Sequence, residues 1–153
     1  AKKCGSSRCS DDGQPWGRLR ARVGMDEGRP MTPRPRRILV TGSRDWTDAP
    51  TIFTALQDAK GDGPHILVHG DAQGADRLAA WAAHFLGWEI EAHPAAWLVH
   101  GKGAGPIRNR LMVGLGADLC LAFPLGESKG TRGCMRLCDE AGIPVISYEG
   151  CHR

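Results

Sequence analysis

Residues 41–46 are the first of four glycine-containing segments whose side chains could bind an anion. Gly42 would let the backbone approach a ligand closely, Ser43 offers a hydroxyl group, and Arg44 can bind a phosphate through two parallel hydrogen bonds. The same residues would also make an ordinary turn, in which Arg44 pairs with a carboxylate and Trp46 covers the edge of the core. The segment alone does not separate these two interpretations.

Residues 69–76 are the second segment and lead directly into the start of a predicted helix. Free N–H groups at a helix start attract anions, and Gly70 and Gly74 would let a ligand come close to them. Asp71 is the better candidate for binding a ribose hydroxyl group and is our first candidate for a catalytic residue. Asp76, in the first helical turn, is expected mainly to complement the helix dipole.

Residues 93–110 are the third segment, in which Arg108 is the strongest candidate for a phosphate ligand. If the apolar side of the helix that follows faces the core, Arg108 and Asn109 are left to face the ligand edge of a sheet or the solvent. Trp97 is expected to anchor this loop or to stack on a base, and Trp46 is a second candidate for stacking.

Residues 123–133 are the fourth segment and again place glycines, hydroxyl groups and cations before a helix. Gly130 and Thr131 are its candidate phosphate ligands. Four such segments along one chain are harder to explain as ordinary turns than any one of them. The convergence therefore predicts a binding site for a phosphate-bearing ligand.

Several histidine and cysteine residues could in principle form a metal site or a reactive thiol site. The groups in question are His93, His100, Cys134 and Cys138, and, near the chain ends, Cys4, Cys9, Cys151 and His152. Neither group has the spacing of a metal site, and cysteines one helical turn apart are more often packing residues than nucleophiles. We expect reduced thiols, no metal ion and no cofactor.

The composition indicates a chain that can bury one core, with 153 residues of which 41% are hydrophobic and 24% charged. The net charge of +3 is unevenly spread, because residues 1–37 hold 10 basic and 4 acidic residues and leave 10 basic and 13 acidic for the remainder. The predicted domain is therefore mildly acidic, which gives no general affinity for nucleic acid. No membrane span or signal peptide is apparent, so we expect a cytoplasmic protein.

Residues 1–36 are rich in glycine, serine, proline and arginine without apolar periodicity, which predicts a disordered basic extension. Met31 stands shortly before the first predicted strand, so we expect residues 1–30 to be a leader, a tag or a misplaced start. Residues 37–153 are expected to form the single domain.

The pattern of that domain alternates short apolar runs with helical periodicity, which is typical of parallel strands joined by crossover helices. The strands are predicted at residues 37–41, 65–69, 88–92, 118–123 and 144–148, and the helices at 50–60, 75–86, from 106 onward, and 133–141. This predicts an α/β fold, a single Rossmann-like, doubly wound parallel sheet of about five strands with helices on both faces.

Two helices carry apolar residues at helical spacing, and these are predicted to face the core. They are Leu78, Trp81, Ala82, Phe85 and Leu86 on the second helix, and Ile107, Leu111 and Leu115 on the third.

The glycine-containing segments together resemble the SLOG superfamily, and most closely its YspA-type, YpsA-related branch. The resemblance is carried by Gly42-Ser43-Arg44, residues 70–76, Pro106-Ile107-Arg108-Asn109-Arg110 and Gly130-Thr131, and it covers residues 37–148. It implies a Rossmann-like domain related to the Lonely Guy phosphoribohydrolases, to the Rossmann-like domain of DprA and to sensors of nucleotide-derived signals.

The resemblance also implies a ligand, a nucleotide or nucleotide-derived small molecule, and two alternatives. In the phosphoribohydrolases a glutamate takes part in cleaving the N-glycosidic bond, but Gly133 and Cys134 occupy the matching positions here. Hydrolysis would then need Asp71, Asp76 or Glu127 to activate water. The other alternative is DprA-like binding of single-stranded DNA, which the acidic domain does not favour.

The predicted site comprises ten ligand-binding residues, with Asp71 as the candidate for catalysis. They are Gly42, Ser43, Arg44, Gly70, Asp71, Gly74, Arg108, Asn109, Gly130 and Thr131. The partners we expect are the small molecule, a separate effector protein and further copies of the chain, and no membrane.

Overall fold

The computed structural model describes residues 34–150. Residues 1–33 of the predicted extension, which include the predicted leader, lie outside the described residues, and so do Cys151 and His152. The first strand begins at Arg36, one residue earlier than predicted. Within residues 34–150, no helix is long and apolar enough to cross a membrane.

Strands and helices alternate along the described chain as the sequence pattern predicts, except that a short helix and a 3-10 turn, which the pattern did not predict, precede the third predicted helix. In chain order they are β1 (Arg36–Gly42), α1 (Ala49–Ala59), β2 (His65–His69), α2 (Ala75–Phe85), β3 (Glu89–Ala92), α3 (Trp97–His100), a short 3-10 turn (Gly101–Gly103), α4 (Ala104–Leu115), β4 (Leu119–Phe123), α5 (Lys129–Glu140) and β5 (Val145–Ser147). The strand ends agree with the predicted ends to within one residue. The sheet is parallel throughout, in the order β3-β2-β1-β4-β5, which confirms the Rossmann-like fold class.

The two faces of the sheet bury alternate residues of β1 because successive side chains on a strand point in opposite directions. Ile38 and Val40 pack under α1 and α2, whereas Leu39 packs under α4 and α5. Burial on both faces explains why the strands read as continuous apolar runs. The helix α1 is capped by Asp48, whose carboxylate accepts a hydrogen bond of 3.1 Å from the backbone N–H of Thr51.

The predicted buried face of α2 is wrong for its largest residues. Trp81 and Phe85 are 55% and 64% exposed, and the buried side of α2 consists of alanines together with Asp76. Small side chains let the helix lie close to the sheet and to α1, whereas the bulky aromatic rings would hold it away. The aromatic pair packs on itself at the surface, with ring centroids 4.6 Å apart.

The predicted start and inward face of α4 are also wrong. The helix begins at Ala104 rather than Pro106, and Ile107, Leu111 and Leu115 are exposed. Its buried residues are Ala104, Asn109, Met112 and Val113. A buried asparagine is stable there because its amide is hydrogen-bonded, and apolar periodicity cannot detect that interaction. The helix α5 likewise begins four residues before its predicted start, at Lys129.

Gly42 marks the closest approach between the end of β1 and the start of α2. A methyl group at this position would lie 2.3 Å from Cβ of Ala75. We expect Gly42→Ala to lower the free energy of unfolding by about 1–3 kcal/mol in urea denaturation, because the backbone must shift to relieve the overlap.

Gly114→Ala is the matched control for this substitution. Gly114 lies within α4, and an added Cβ would meet nothing within 4 Å. The control should leave the free energy of unfolding unchanged or raise it by up to about 1 kcal/mol, since alanine favours the helix. Equal destabilisation by both substitutions would contradict the close packing at Gly42.

Candidate functional site

The strand order reverses at β1, because the chain reaches β2 on one side of it and β4 on the other. In open parallel sheets, ligands bind in the crevice that such a reversal leaves beyond the carboxyl ends of the strands. A cavity of about 510 Å³, here called the main cavity, lies at this position. Among its lining residues are Thr41, Gly42, Ser43, Arg44, Asp45, Asp76, Trp97, Lys102, Arg108, Asn109, Ser128, Lys129, Gly130 and Thr131.

The loop after β1 is held from two directions by backbone hydrogen bonds. The N–H of Ser43 donates to the carbonyl oxygen of Phe123 at 2.9 Å, and the carbonyl oxygen of Ser43 accepts from the N–H of Ala75 at 3.2 Å. Gly74 has a φ of +78°, and a Cβ there would lie 2.4 Å from the carbonyl oxygen of Arg44. Glycine is thus required where the loops after β1 and β2 meet.

The start of α5 faces the main cavity through Lys129, Gly130 and Thr131. Ser128 precedes the helix with a φ of +31°, and its hydroxyl group accepts a hydrogen bond of 2.8 Å from the N–H of Leu125. Among the described residues, no side chain caps the amino end of α5. Its first N–H groups are therefore available to an anion in the cavity.

Arg108 joins loops that follow different strands. Its Nη1 donates to the carbonyl oxygens of Gly70 and His93, the latter at 3.3 Å, and its Nε donates to Oδ1 of Asn109 at 2.8 Å. Asn109 in turn donates from Nδ2 to the carbonyl oxygen of Gly130 at 3.4 Å. The pair ties the loops after β2 and β3 to the starts of α4 and α5. Nη2 is the part of the guanidinium that these bonds leave for a ligand.

Gly70 is small because Arg108 lies against it. A Cβ at Gly70 would be 2.2 Å from Nη1 of Arg108. The absence of a side chain at Gly70, which was predicted to bind the ligand, therefore makes room for the Arg108 side chain.

Arg44 is exposed, and its guanidinium carbon lies 5.2 Å from the centre of the Trp97 ring. Within the described residues it makes no side-chain hydrogen bond or ion pair, so a cation–π contact is what orients it. Trp97 is 46% exposed and remains a candidate for stacking. Trp46 cannot stack on a ligand, because it is 5% exposed and packs edge-on against Phe123 with ring centroids 5.3 Å apart.

Asp76 is a buried carboxylate at the wall of the main cavity, with 5% of the residue exposed. Its Oδ2 accepts hydrogen bonds from the backbone N–H groups of Gly70 at 2.9 Å and Ala72 at 3.4 Å. Burial raises the pKa of Asp76 to about 6, against the lowering effect of those two bonds. Besides its expected place at the helix start, Asp76 shapes the loop after β2.

Asp71 lies in a neighbouring cavity of about 440 Å³, here called the side cavity. Its backbone has a φ of +54°, and its N–H donates to Nδ1 of His69 at 3.0 Å. The exposed carboxylate lies 3.8 Å from Nε of Arg77. The side cavity is lined by Arg44, Gly70, Asp71, Ala72, Gln73, Arg77, Pro94, Ala95, Trp97 and Arg108.

Nine of the ten predicted site residues line the two cavities, and Arg44 and Arg108 line both of them. Gly42, Ser43, Arg44, Arg108, Asn109, Gly130 and Thr131 line the main cavity, Gly70 and Asp71 line the side cavity, and Gly74 packs on Arg44. Sequence reasoning left out Asp45, Lys102, Ser128 and Lys129. The two lysines stand in the same glycine-containing segments, so their charge was the available signal.

The histidine and cysteine residues have other contacts. His93 Nε2 lies 2.7 Å from Oε1 of Glu91, whose carboxylate also binds both terminal nitrogens of Arg37. Hydrogen bonds from Arg37, and then from His93, lower the pKa of Glu91 to about 2. Cys134 and Cys138 are fully buried between α5 and the sheet, which confirms that they are packing residues.

Asp76→Asn is expected to remove part of the pH dependence of stability. With a pKa of about 6 when folded and 3.8 as its ordinary value, Asp76 keeps in the folded protein a proton that the unfolded chain releases. The free energy of unfolding therefore falls as the pH rises from about 4 to about 6. Asparagine retains an acceptor oxygen for the two N–H groups but cannot ionise.

Urea denaturation of both proteins at a series of pH values measures this effect. The free energy of unfolding of the variant, relative to that of the original chain, should increase across the window and then level off. A difference that stays constant from pH 4 to pH 7 would contradict the raised pKa of Asp76.

Comparisons with known proteins agree with this architecture. The chain is 51% identical over 120 residues to the Gene 61 protein of Mycobacterium phage D29, and the alignment covers 74% of this chain and 96% of that protein. The fold of this chain is similar to that of DNA processing protein A (DprA) from Streptococcus pneumoniae, with a TM-score of 0.62 and 22% identity over 76% of this chain. The chain spans about half of DprA, 51% of its length, and at this identity the likeness concerns the fold.

A family model matches residues 36–100, from the start of β1 through α3. This part of the chain contains the loops after β1 and β2 and the side chains of Arg44, Asp71, Asp76 and Trp97. With that match and the extended likeness to the phage protein, the chain belongs to the YspA, cpYpsA-related SLOG family.

Proposed function

We propose that the chain binds a nucleotide or nucleotide-derived ligand in the main cavity, with a phosphate group at the start of α5. The observation that carries this proposal is the meeting of an uncapped helix start with cations from separate loops at one crevice. The cations are Arg44, Lys102, Arg108 and Lys129, and the acidic residues in the same lining are Asp45 and Asp76. The site is thus locally positive within a mildly acidic domain.

The remaining lining suits the rest of a nucleotide. Trp97, Pro106 and Met112 provide apolar surface for a ring, and Thr131 provides a hydroxyl group. A cavity of about 510 Å³ has the size of an ordinary small-molecule site. The proposal requires neither a metal ion nor a cofactor.

Arg44 and Arg108 have different roles in this proposal. Arg44 has its hydrogen-bonding groups available and is oriented by Trp97, so it acts as a direct phosphate ligand. Arg108 holds the loops in place and offers only Nη2 to the ligand. The two substitutions to alanine therefore separate ligand binding from loop architecture.

Arg44→Ala is expected to weaken phosphate binding by about 10- to 100-fold, the equivalent of one charge-assisted contact. Its effect on the free energy of unfolding should stay within about 0.5 kcal/mol, since the side chain is exposed. Arg108→Ala should weaken phosphate binding and also lower the free energy of unfolding. The loss of stability should be about 2 kcal/mol or more, because the Arg108 side chain supports two loops. Arg110→Ala, exposed on the same helix, is the control and should change neither.

Isothermal titration calorimetry with AMP, GMP, CMP and UMP measures binding, and urea denaturation measures stability. A short single-stranded DNA oligonucleotide is titrated in the same way, because binding of single-stranded DNA is the alternative to binding of a small nucleotide. Binding of DNA without any nucleotide, with an affinity that falls steeply with salt, would replace the proposal by that alternative. Unchanged nucleotide binding by Arg44→Ala would refute the assignment of Arg44 as a direct phosphate ligand.

Cleavage of the N-glycosidic bond is a second candidate, and the position of Asp76 favours it. Asp76 lines the main cavity, whereas the candidate proposed from sequence, Asp71, lines the side cavity. With a pKa of about 6, Asp76 is largely ionised at neutral pH and can accept a proton from water. The water would then add to C1′ of the ribose while the base leaves.

Chromatographic detection of free base tests this candidate. If the chain is a hydrolase, it should release base from the monophosphate that it binds, and Asp76→Asn should abolish release while retaining most of the binding. Absence of free base with a tightly bound monophosphate would instead support a sensor.

The exposed apolar residues of α4 support the expectation of a homo-oligomer. Ile107, Leu111 and Leu115 form one stripe along this helix, and Leu98 and Val99 of α3 are also exposed. An apolar surface of this kind is typical of an interface between protein chains. A separate effector protein stays a prediction for which the described residues offer no particular surface.

A further inference from the structure

The side of α4 that faces away from α5 carries an exposed apolar stripe. Ile107, Leu111 and Leu115 are 44%, 53% and 52% exposed and lie one above another along the helix. Asn109, on the opposite side of α4, is bonded to Gly130 at the start of α5, so the stripe points away from that helix. Because α5 packs over β4 and β5, the stripe points toward β3, at the other side of the sheet.

The strand β3 has one face over which, within residues 34–150, no helix packs closely. Glu89 and Glu91 pair with Ile66 and Val68 of β2, and paired residues of parallel strands share a face. Val68 lies in the core under α4, so both glutamates lie on the same face of the sheet as α4. On the opposite face, β3 packs on α2. A gap in the helix layer, here called the shelf, is therefore bordered by Ile107, Leu111, Leu115, Glu89 and Glu91.

The two glutamates of the shelf differ in their partners. Glu91 binds both terminal nitrogens of Arg37 and lies 2.7 Å from Nε2 of His93. Glu89 is exposed and has no ion pair within the described part of the chain. It is the first residue of β3, so its charge lies at the amino ends of the strands. A complementary partner would present an apolar face to the stripe and a cation to Glu89.

The helix α4 itself has both of these features. Arg110, in its amino-terminal half, is exposed and makes no ion pair with the residues that the structure describes. The helix ends near the amino ends of the strands, where the carbonyl oxygen of Gly116 accepts a hydrogen bond of 2.8 Å from Nε of Arg37. A second α4 that lies antiparallel on the shelf would therefore bring its own Arg110 beside Glu89. A parallel one would bring that arginine to the carboxyl ends of the strands.

We infer that two copies of the chain pair through the shelf, with their α4 helices antiparallel about a twofold axis. Each stripe packs on the other, and each Glu89 lies opposite Arg110 of the partner subunit. The parallel arrangement is disfavoured because it places that arginine among the cations Lys102 and Arg108. The twofold axis makes both contacts occur twice and leaves neither shelf open. This pairing gives a surface to the homo-oligomer expected above and does not depend on nucleotide binding.

The stripe and the ion pair have different roles in this pairing. The apolar contact supplies most of the affinity, because it removes large exposed side chains from water. The ion pair lies at the rim, so it selects the orientation and contributes little affinity.

Sedimentation equilibrium of the whole chain at micromolar concentrations measures the pairing. The original chain should have twice the mass of one copy. Leu111→Lys should raise the dissociation constant of the dimer about 100-fold or more, because it buries an unpaired charge in the apolar contact. Phe85→Lys changes a similarly exposed apolar residue on α2 and is the control, which should leave the dimer intact. Circular dichroism and urea denaturation check that both variants fold.

Three results would overturn the pairing. They are a monomeric original chain, which would leave the shelf to a different protein, a dimer that Leu111→Lys does not weaken, and a dimer that only Phe85→Lys weakens. A monomeric chain that binds a nucleotide contradicts the pairing alone, whereas a dimer that binds none contradicts the proposed function alone.

Charge reversal tests the antiparallel orientation. Glu89→Arg and Arg110→Glu should each raise the dissociation constant about 10-fold, since each places like charges opposite one another. The double variant restores opposite charges, so its dissociation constant should return to within about threefold of the original. Effects that simply add in the double variant would overturn the antiparallel pairing.

Discussion

The central place of β1 is the constraint on which the site depends. This strand pairs with β2 on one side and β4 on the other. After β1 the chain continues to β2 on one side of the strand, and it returns to the opposite side of β1 only with β4. No crossover covers the crevice between the two departing loops. The loop after β1 and the start of α5 are therefore brought together there, although about 80 residues separate them along the chain.

Hydrogen bonds to buried and partly buried side chains hold the loops around this crevice. Arg108 and Asn109 bind carbonyl oxygens from loops on either side, and Asp76 binds N–H groups of the loop after β2. Each of these polar groups would be costly to bury alone, and each is partnered by backbone. Some side chains that look like ligand-binding groups in the sequence therefore hold the loops in place. This keeps the remaining groups in position before a ligand binds.

The groups left for a ligand share a different character. Arg44 and Trp97 are exposed and touch each other, and the first N–H groups of α5 face the cavity. They lie in a domain whose overall charge is slightly negative, so the positive charge at this edge of the sheet is local. This distribution is the reason why the proposed function favours a small phosphate compound over a long nucleic acid, which would need a continuous positive surface.

The five strands, the four longer helices and the parallel sheet could be predicted from the sequence, because doubly buried strands and crossover helices leave strong apolar patterns. The short helix α3 could not. The sequence also placed Arg44 and Gly130 in glycine-containing loops after strands, and the structure brings both residues to the main cavity. The tertiary structure was needed to show which side of α4 is buried, since Asn109 is stabilised there by hydrogen bonds to its neighbour Arg108 and to the distant carbonyl oxygen of Gly130. It likewise placed Asp76 rather than Asp71 in the main cavity, because the local bend of a loop, which spacing does not encode, directs each carboxylate.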